Sequence, residues 1–477
     1  SAMAGFALRL FLAVVVVGAC VGFSPPHLLP PLSKPHASAI RTSPPRARTT
    51  VVSSHPTMSA TDKLPAGYVR RAVWRTEEPG DLKRLRLQTD TLPPPAAGEV
   101  RVAVQAVGLN FADVFTALGM YDAAPPGQPV VPGLEFAGVV EEVGERLRTK
   151  QKKVDVERSA DGRKYVIKQQ GQADEQGGDE GGLPARDLRP GDRVMGFTRF
   201  GAYSTHINIG TPFIRRIPDE WSYEQGASFV VQALTAWYGT MQLGAAPRAR
   251  SMLVHSAAGG VGIFTLQICG MLGVTPVAIV GSAEKARFLQ DSMGLKASQI
   301  IVRPGSAKEF RRKLGESLEA IGRDGFDVVM DSVAGKYFQA GYDSLAPGGR
   351  HILFGAATYT PRGDKGKVWL SPEFWLSIVP KFLSRPKLDV QHMIGENKSV
   401  AGFNLIWLTD GRTDPRELGR LIDEILQPSV RWIPPIIGKT FAFSKAVDAL
   451  RYFKSGQSVG KVVLTVSEED ADRGAAR

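Results

Sequence analysis

Cysteine is nearly absent: Cys20 and Cys269 are the only two in 477 residues. That count excludes a disulfide framework and any zinc site built from four thiolates. Acid is missing from one whole region, because no Asp or Glu precedes Asp62. Part of the formal net charge of +12 therefore comes from Arg9, Lys34, Arg41, Arg46 and Arg48 in that leader. The remainder has no basic stripe with interleaved aromatics, so nucleic-acid binding is not expected. The apolar run at 10–21 is too short for a comfortable membrane span. No Ser-His-Asp ordering and no paired-carboxylate spacing points to a hydrolase.

What is present is the composition of a large globular enzyme, with 43% hydrophobic and 22% charged residues. Residues 1–61 read as a targeting presequence: Arg9 and the apolar run resemble a secretory signal, and the Ser-, Pro- and Arg-rich stretch from Phe23 resembles a transit peptide. That pair implies delivery to a plastid, with the mitochondrion or the secretory pathway as alternatives. Residues 147–188 are expected to form a disordered surface insertion, since 170–182 hold almost no apolar residue. Residues 467–477 form a charged tail.

The central motif is Met252-Leu-Val-His-Ser-Ala-Ala-Gly-Gly-Val-Gly262, an apolar strand running through a glycine cluster into a helix. Backbone without side chains can approach a pyrophosphate closely, and the free N–H groups of the helix start stabilise the anion. Ala258, Gly259, Gly260, Val261 and Gly262 are thus candidate cofactor contacts, with Ala257 in place of the first fingerprint glycine. Further strand candidates at 275–280, 299–302, 326–331 and 349–355 alternate with helical stretches, which predicts a doubly wound parallel α/β sheet. About 20 residues past the glycines, where an NAD site usually carries an acid for the ribose, the chain has Ser282 and Lys285, with Arg303 beyond the next strand. These three would suit a 2′-phosphate, so the expected cofactor is NADPH.

Ordered blocks extend the pattern: Val107-Gly-Leu-Asn-Phe-Ala-Asp113, Gly119-Met-Tyr121, Pro132-Gly-Leu-Glu-Phe-Ala-Gly138, Pro190-Gly-Asp-Arg-Val194, Asp331-Ser-Val333 and Val459-Gly-Lys-Val462. Together they resemble the medium-chain dehydrogenase/reductase superfamily and, within it, the zinc-free quinone oxidoreductases. Ala401-Gly-Phe-Asn-Leu405 is similar to the branch of vesicle amine transport membrane protein homologues. The resemblance implies a mainly β, GroES-like catalytic lobe from 62–226 and 369–466 around a Rossmann NADP-binding domain at 227–368. It implies Asn110 and Tyr121 as catalytic contacts, and Phe354, Gly355, Phe403, Asn404 and Lys461 beside the cofactor. Asn110 and Leu134 stand where zinc relatives carry ligands, so no metal is expected.

Without a Lewis acid the acceptor must already be electrophilic, which points to a quinone or an α,β-unsaturated carbonyl. The proton has three candidate sources: Tyr121, a ribose hydroxyl or water. A homodimer is the expected assembly. The alternative is a lipid-handling or cofactor-binding protein that retains the fold and touches membrane through the apolar stretch 368–383. His255 and His351, set in apolar strands, are expected to be satisfied core histidines, and Glu135 to make a structural hydrogen bond.

Overall fold

A computed structural model describes residues 64–124, 128–144, 154–158, 165–169, 188–361, 363–366, 387–409 and 415–475. The presequence, the apolar stretch 368–383, most of the insertion and the last two residues of the charged tail lie outside them. Among the described residues no helix is long and apolar enough to cross a membrane.

The N-terminal half is β-rich. Strands β1 (Val69–Arg75) and β2 (Arg86–Leu92) pair antiparallel, and β3 (Glu99–Gly108) and β4 (Glu135–Val143) form the centre of a seven-stranded sheet. Between β3 and β4 runs the short helix α1 (Phe111–Ala117). Inside the expected insertion, Val154–Arg158 and Tyr165–Gln169 pair as an antiparallel hairpin, β5 and β6. This corrects the reading of 147–188 as wholly without order. Val154-Asp-Val-Glu alternates apolar and charged residues, which is strand spacing that the polar bulk of the insertion concealed. Strands β7 (Arg193–Phe197), β8 (His206–Gly210) and β9 (Ile214–Arg216) extend the sheet.

Helix α2 (Val230–Trp237) leads into the second lobe. There β10 (Ser251–His255), β11 (Thr275–Val280), β12 (Ile300–Val302), β13 (Phe326–Asp331), β14 (Leu345–Leu353) and β15 (Ser399–Gly402) form an all-parallel sheet in the order β12-β11-β10-β13-β14-β15. The strands are buried on both faces, which is why β10 and β13 are nearly continuous apolar runs. Helix α3 (Gly260–Leu272) follows β10 and stops at Gly273, whose φ of 68° is the left-handed geometry of a helix end. Helices α4 (Ala283–Met293) and α5 (Ala307–Ala320) start on the Ser282 and Ser306 hydroxyls, which accept backbone N–H groups.

Strand β15 departs from the boundaries read in the sequence, which gave all of 369–466 to the catalytic lobe. Its four residues, Ser-Val-Ala-Gly, lack an apolar run and become a strand only by pairing with β14. The chain then returns through α6 (Pro415–Ile425) to β16 (Ile437–Ala442), α7 (Ala446–Lys454) and β17 (Lys461–Thr465), the last pairing with β3. An aromatic wedge joins the lobes: the Phe229 ring meets Trp221, Phe264 and Trp432 edge-on at centroid distances of 5.0, 5.6 and 6.0 Å.

Candidate active site

The strand order reverses between β10 and β13, and ligands of open α/β sheets lie outside the carboxyl ends of the strands at such a point. Here β10 runs into the glycine turn. Ser256 takes φ of 52°, and the Gly259 N–H donates to Ser256 O at 2.9 Å. A Cβ on Gly262 would stand 2.5 Å from Ser256 O, and one on Gly260 only 2.1 Å from Gln232 Oε1. Position 262 requires glycine because backbone blocks it, whereas at 260 the obstacle is the end of the Gln232 side chain, which a larger residue would have to push aside. Gly259 is crowded only by Ser256 O, at 3.2 Å, and it precedes the N-terminal turn of the 13-residue α3. A pyrophosphate fits there, against free N–H groups and the positive end of a helix.

At the ends of β11 and β12 lie the other cofactor candidates. The Ser282 hydroxyl caps α4 by accepting the Lys285 N–H at 3.4 Å, which leaves its own O–H free to donate. Lys285 Nζ donates to Gly456 O at 2.7 Å. Arg303 sits 5.6 Å over the Tyr337 ring, and its buried Nε has no hydrogen-bond partner. Burial and the neighbouring Arg303 charge push the Lys285 pKa down, and burial lowers that of Arg303. Each cation thus gives up part of its solvation beside the other, an arrangement that a nearby anion would relieve.

Nearer the catalytic lobe, Phe354 and Phe403 come together with ring centroids 6.1 Å apart, and Phe403 packs on Tyr238 at 5.1 Å. Gly355 abuts Ser332, whose carbonyl a Cβ would meet at 2.8 Å. The Tyr121 hydroxyl donates to Asn404 Oδ1 at 3.1 Å, across 283 positions of sequence. Burial pushes the Tyr121 phenol up to about 12, against the opposing Asn404 hydrogen bond. The group keeps its proton at neutral pH.

Asn110 heads α1 and is 7% exposed. Its Nδ2 donates to Gly108 O at 3.2 Å and to Glu135 Oε1 at 3.0 Å; its Oδ1 accepts from Gln232 Nε2 at 2.9 Å and Lys461 Nζ at 3.1 Å. Lys461 also pairs with Glu135, whose other oxygen accepts the Val231 N–H at 3.1 Å. Asn110 and Lys461 are thus brought together, but in a network closed upon itself. Gln232 escaped the sequence reading; its one signal is a lone amide in the apolar run Phe229–Trp237. Leu134 is apolar and Asn110 saturated, and among the described residues no group of three or more His, Cys, Asp or Glu side chains is arranged to hold a metal. Zinc does not fit this donor set.

Two buried acids and two histidines complete the electrostatics. His351 Nε2 lies 3.1 Å from Asp331 Oδ2, but its buried Nδ1 has no hydrogen-bond partner, so the expected core histidine is satisfied at one nitrogen only. His255 does not conform: it is buried, neither ring nitrogen has a hydrogen-bond partner, and Asp331 stands 3.9 Å away. Burial pushes His255 down to about 4 from 6.5, with Asp331 opposing. Asp113 accepts from the Asn110 N–H at 2.8 Å and the Tyr203 hydroxyl at 3.3 Å, and burial raises its carboxyl from 3.8 to about 7.

These two groups act on stability in opposite directions. Unfolded Asp113 loses its proton near 3.8 while the native carboxyl holds it to about 7, so rising pH destabilises across that window. Unfolded His255 takes a proton near 6.5 that the native ring refuses until about 4, so falling pH destabilises there. In urea unfolding between pH ~4.5 and ~6.5, Asp113→Asn should gain on the parent protein as pH rises, and His255→Asn as pH falls, each by up to about 1.4 kcal/mol per pH unit. Curves parallel to the parent would show that neither group titrates with folding.

Comparison with known proteins follows the same lines. Residues 96–219 match the alcohol dehydrogenase GroES-like domain, and residues 295–464 match the zinc-binding dehydrogenase family. The rat synaptic vesicle membrane protein VAT-1 homolog is 27% identical over 393 residues, covering 82% of this chain and 83% of its own. A mycobacterial protein solved in complex with NADPH superposes with a TM-score of 0.61 at 26% identity, over 83% of this chain and 99% of that one. A mycobacterial quinone oxidoreductase superposes with a TM-score of 0.58 at 25% identity and the same coverage.

Proposed function

The chain belongs to the medium-chain dehydrogenase/reductase superfamily of oxidoreductases, and from that premise we propose that it is a zinc-independent, NADPH-dependent reductase of quinones or α,β-unsaturated carbonyls. One observation carries this reading. A glycine turn shaped for a pyrophosphate stands in the same fold as the Tyr121–Asn404 pair, and the positions where zinc relatives carry ligands hold Leu134 and a saturated Asn110. The NADPH complex and the quinone oxidoreductase among the similar structures support it.

When bound, the nicotinamide would supply the hydride. The chain's own residues do the rest. Ala258 to Gly262 hold the pyrophosphate, and Lys285 and Arg303 the 2′-phosphate. Phe354 and Phe403 keep water from the reacting face. Hydride addition to a quinone or to the β-carbon of an enone leaves charge on an oxygen, which needs a proton. Tyr121 holds one at neutral pH, and Asn404 orients the hydroxyl.

The test is oxidation of NADPH and NADH against a panel of quinones, enones, simple ketones and alcohols. Turnover is expected with at least one quinone or enone and with no simple ketone or alcohol. Tyr121→Phe should lower kcat about tenfold, below the usual 10²–10⁴ of a general acid because water can stand in for the phenol. A protein that binds NADPH yet reduces nothing in the panel would remove the enzyme reading; an unchanged kcat in Tyr121→Phe would assign the proton to water.

A further inference from the structure

An amide has two hydrogens and two lone pairs to give, and Asn110 has spent all four inside the protein. Nothing is left for a ligand, so its value to the site must be indirect. The two side chains that hold its carbonyl oxygen both reach back to the nucleotide turn. Gln232 gives Nε2 to Asn110 and lays Oε1 against Gly260, where even a methyl group would collide. Lys461 gives Nζ to Asn110 and is the next residue after Gly460, whose N–H donates to Ala258 O at 2.8 Å as it bridges to Gly259. Two separate struts therefore run from one turn to one amide.

From Asn110 the connection continues along the chain. Its backbone N–H and the Asp113 carboxylate close the first turn of α1. That helix ends at Ala117, four residues before Tyr121, and the Met120 N–H is tied back to Phe115 O at 2.8 Å. Displacing Asn110 displaces α1 and the segment that carries the Tyr121 hydroxyl. Resting on the cofactor assignment above, we propose that Gln232 and Lys461 are positioning residues that lock the Asn110–Tyr121 segment to the nucleotide turn, so that NADPH docking at Ala258–Gly260 is felt on the substrate side of the cleft.

Backbone hydrogen exchange with and without NADPH reads this directly. The proteins compared are the full-length chain, Gln232→Leu, and the paired variant Lys461→Met/Glu135→Gln, which removes one strut without leaving a buried charge alone. In the parent, NADPH should slow exchange both at 256–263 and at 108–121, the latter by roughly threefold or more. In each variant protection at 256–263 should persist while that at 108–121 falls to half of the parent's or less, because a local opening there now breaks only one of the two contacts with the turn. Turnover should follow, with kcat reduced and KM for NADPH nearly unchanged. A side chain that merely stabilised the fold would raise exchange at 108–121 equally with and without NADPH. Protection at 108–121 that is undiminished in both variants, or that is missing from the parent with NADPH bound, would overturn the inference and leave the proposed function standing. A parent protein in which NADPH protects nothing would overturn both.

Discussion

Lys461→Met is expected to lower the unfolding free energy by about 3–5 kcal/mol, the cost of leaving a buried charge without its partner. Lys461 and Glu135 are 3% and 1% exposed. Burial pushes the Lys461 ammonium down, and the adjacent Glu135 carboxylate opposes that shift. Met keeps the apolar stem, which lies against Gly108, where an added Cβ would meet Lys461 Cε at 2.9 Å. It removes the charge and the donor, so Glu135 keeps only neutral partners: the Asn110 and Gln232 amides and the Val231 N–H. Adding Glu135→Gln should recover at least half of the loss, since a neutral amide still accepts from Val231 and no longer needs a cation. Urea unfolding of the parent, both single variants and the pair gives the coupling energy. If the pair proves no more stable than Lys461→Met alone, the cost lies in packing around the stem and the ion pair contributes little.

The parts of the molecule that were legible in the sequence share a physical reason. Parallel strands covered on both faces must be apolar throughout, so β10, β11 and β13 announce themselves as short apolar runs, and the glycine turn sits at the end of the first. Strand β15 gives no such signal. Its residues are small and mixed, and only the β14 edge makes them a strand. Pairing across the cleft is equally silent in one dimension: Tyr121 and Asn404 were each singled out by resemblance, but their hydrogen bond spans the whole cofactor lobe. Asn110 shows the opposite difficulty. Its type and place invite a role in ligand contact, and only a count of its hydrogen bonds shows that it has none to spare. Gln232 was hidden because a single amide in an apolar helix ordinarily marks a helix edge, whereas here it is buried between two functional elements.

Cofactor choice should turn on two residues. Lys285→Ala/Arg303→Ala is expected to raise the NADPH dissociation constant on the order of 100-fold while changing that for NADH by less than about threefold, because 1.4 kcal/mol is a factor of ten and each lost charge-assisted contact contributes at least that much. The value stays at the low end for two reasons visible in the structure. Lys285 is half-buried and must first leave Gly456 O, so part of its gain is spent on that exchange. Arg303 is the better placed of the pair: the Tyr337 ring holds its guanidinium plane, and its buried Nε waits without an acceptor. Arg303→Ala alone should therefore cost more than Lys285→Ala alone. A dianionic phosphate would also offset both the lost solvation and the mutual repulsion of the two cations, a benefit that NADH cannot offer. Since the preference is electrostatic and partly exposed, the ratio of the two affinities should shrink as salt is raised. Isothermal titration with both cofactors at low and high ionic strength measures every one of these quantities. Equal affinity of the parent protein for NADPH and NADH would remove the phosphate from this site, leaving Lys285 as the residue that ties α4 to the loop at Gly456.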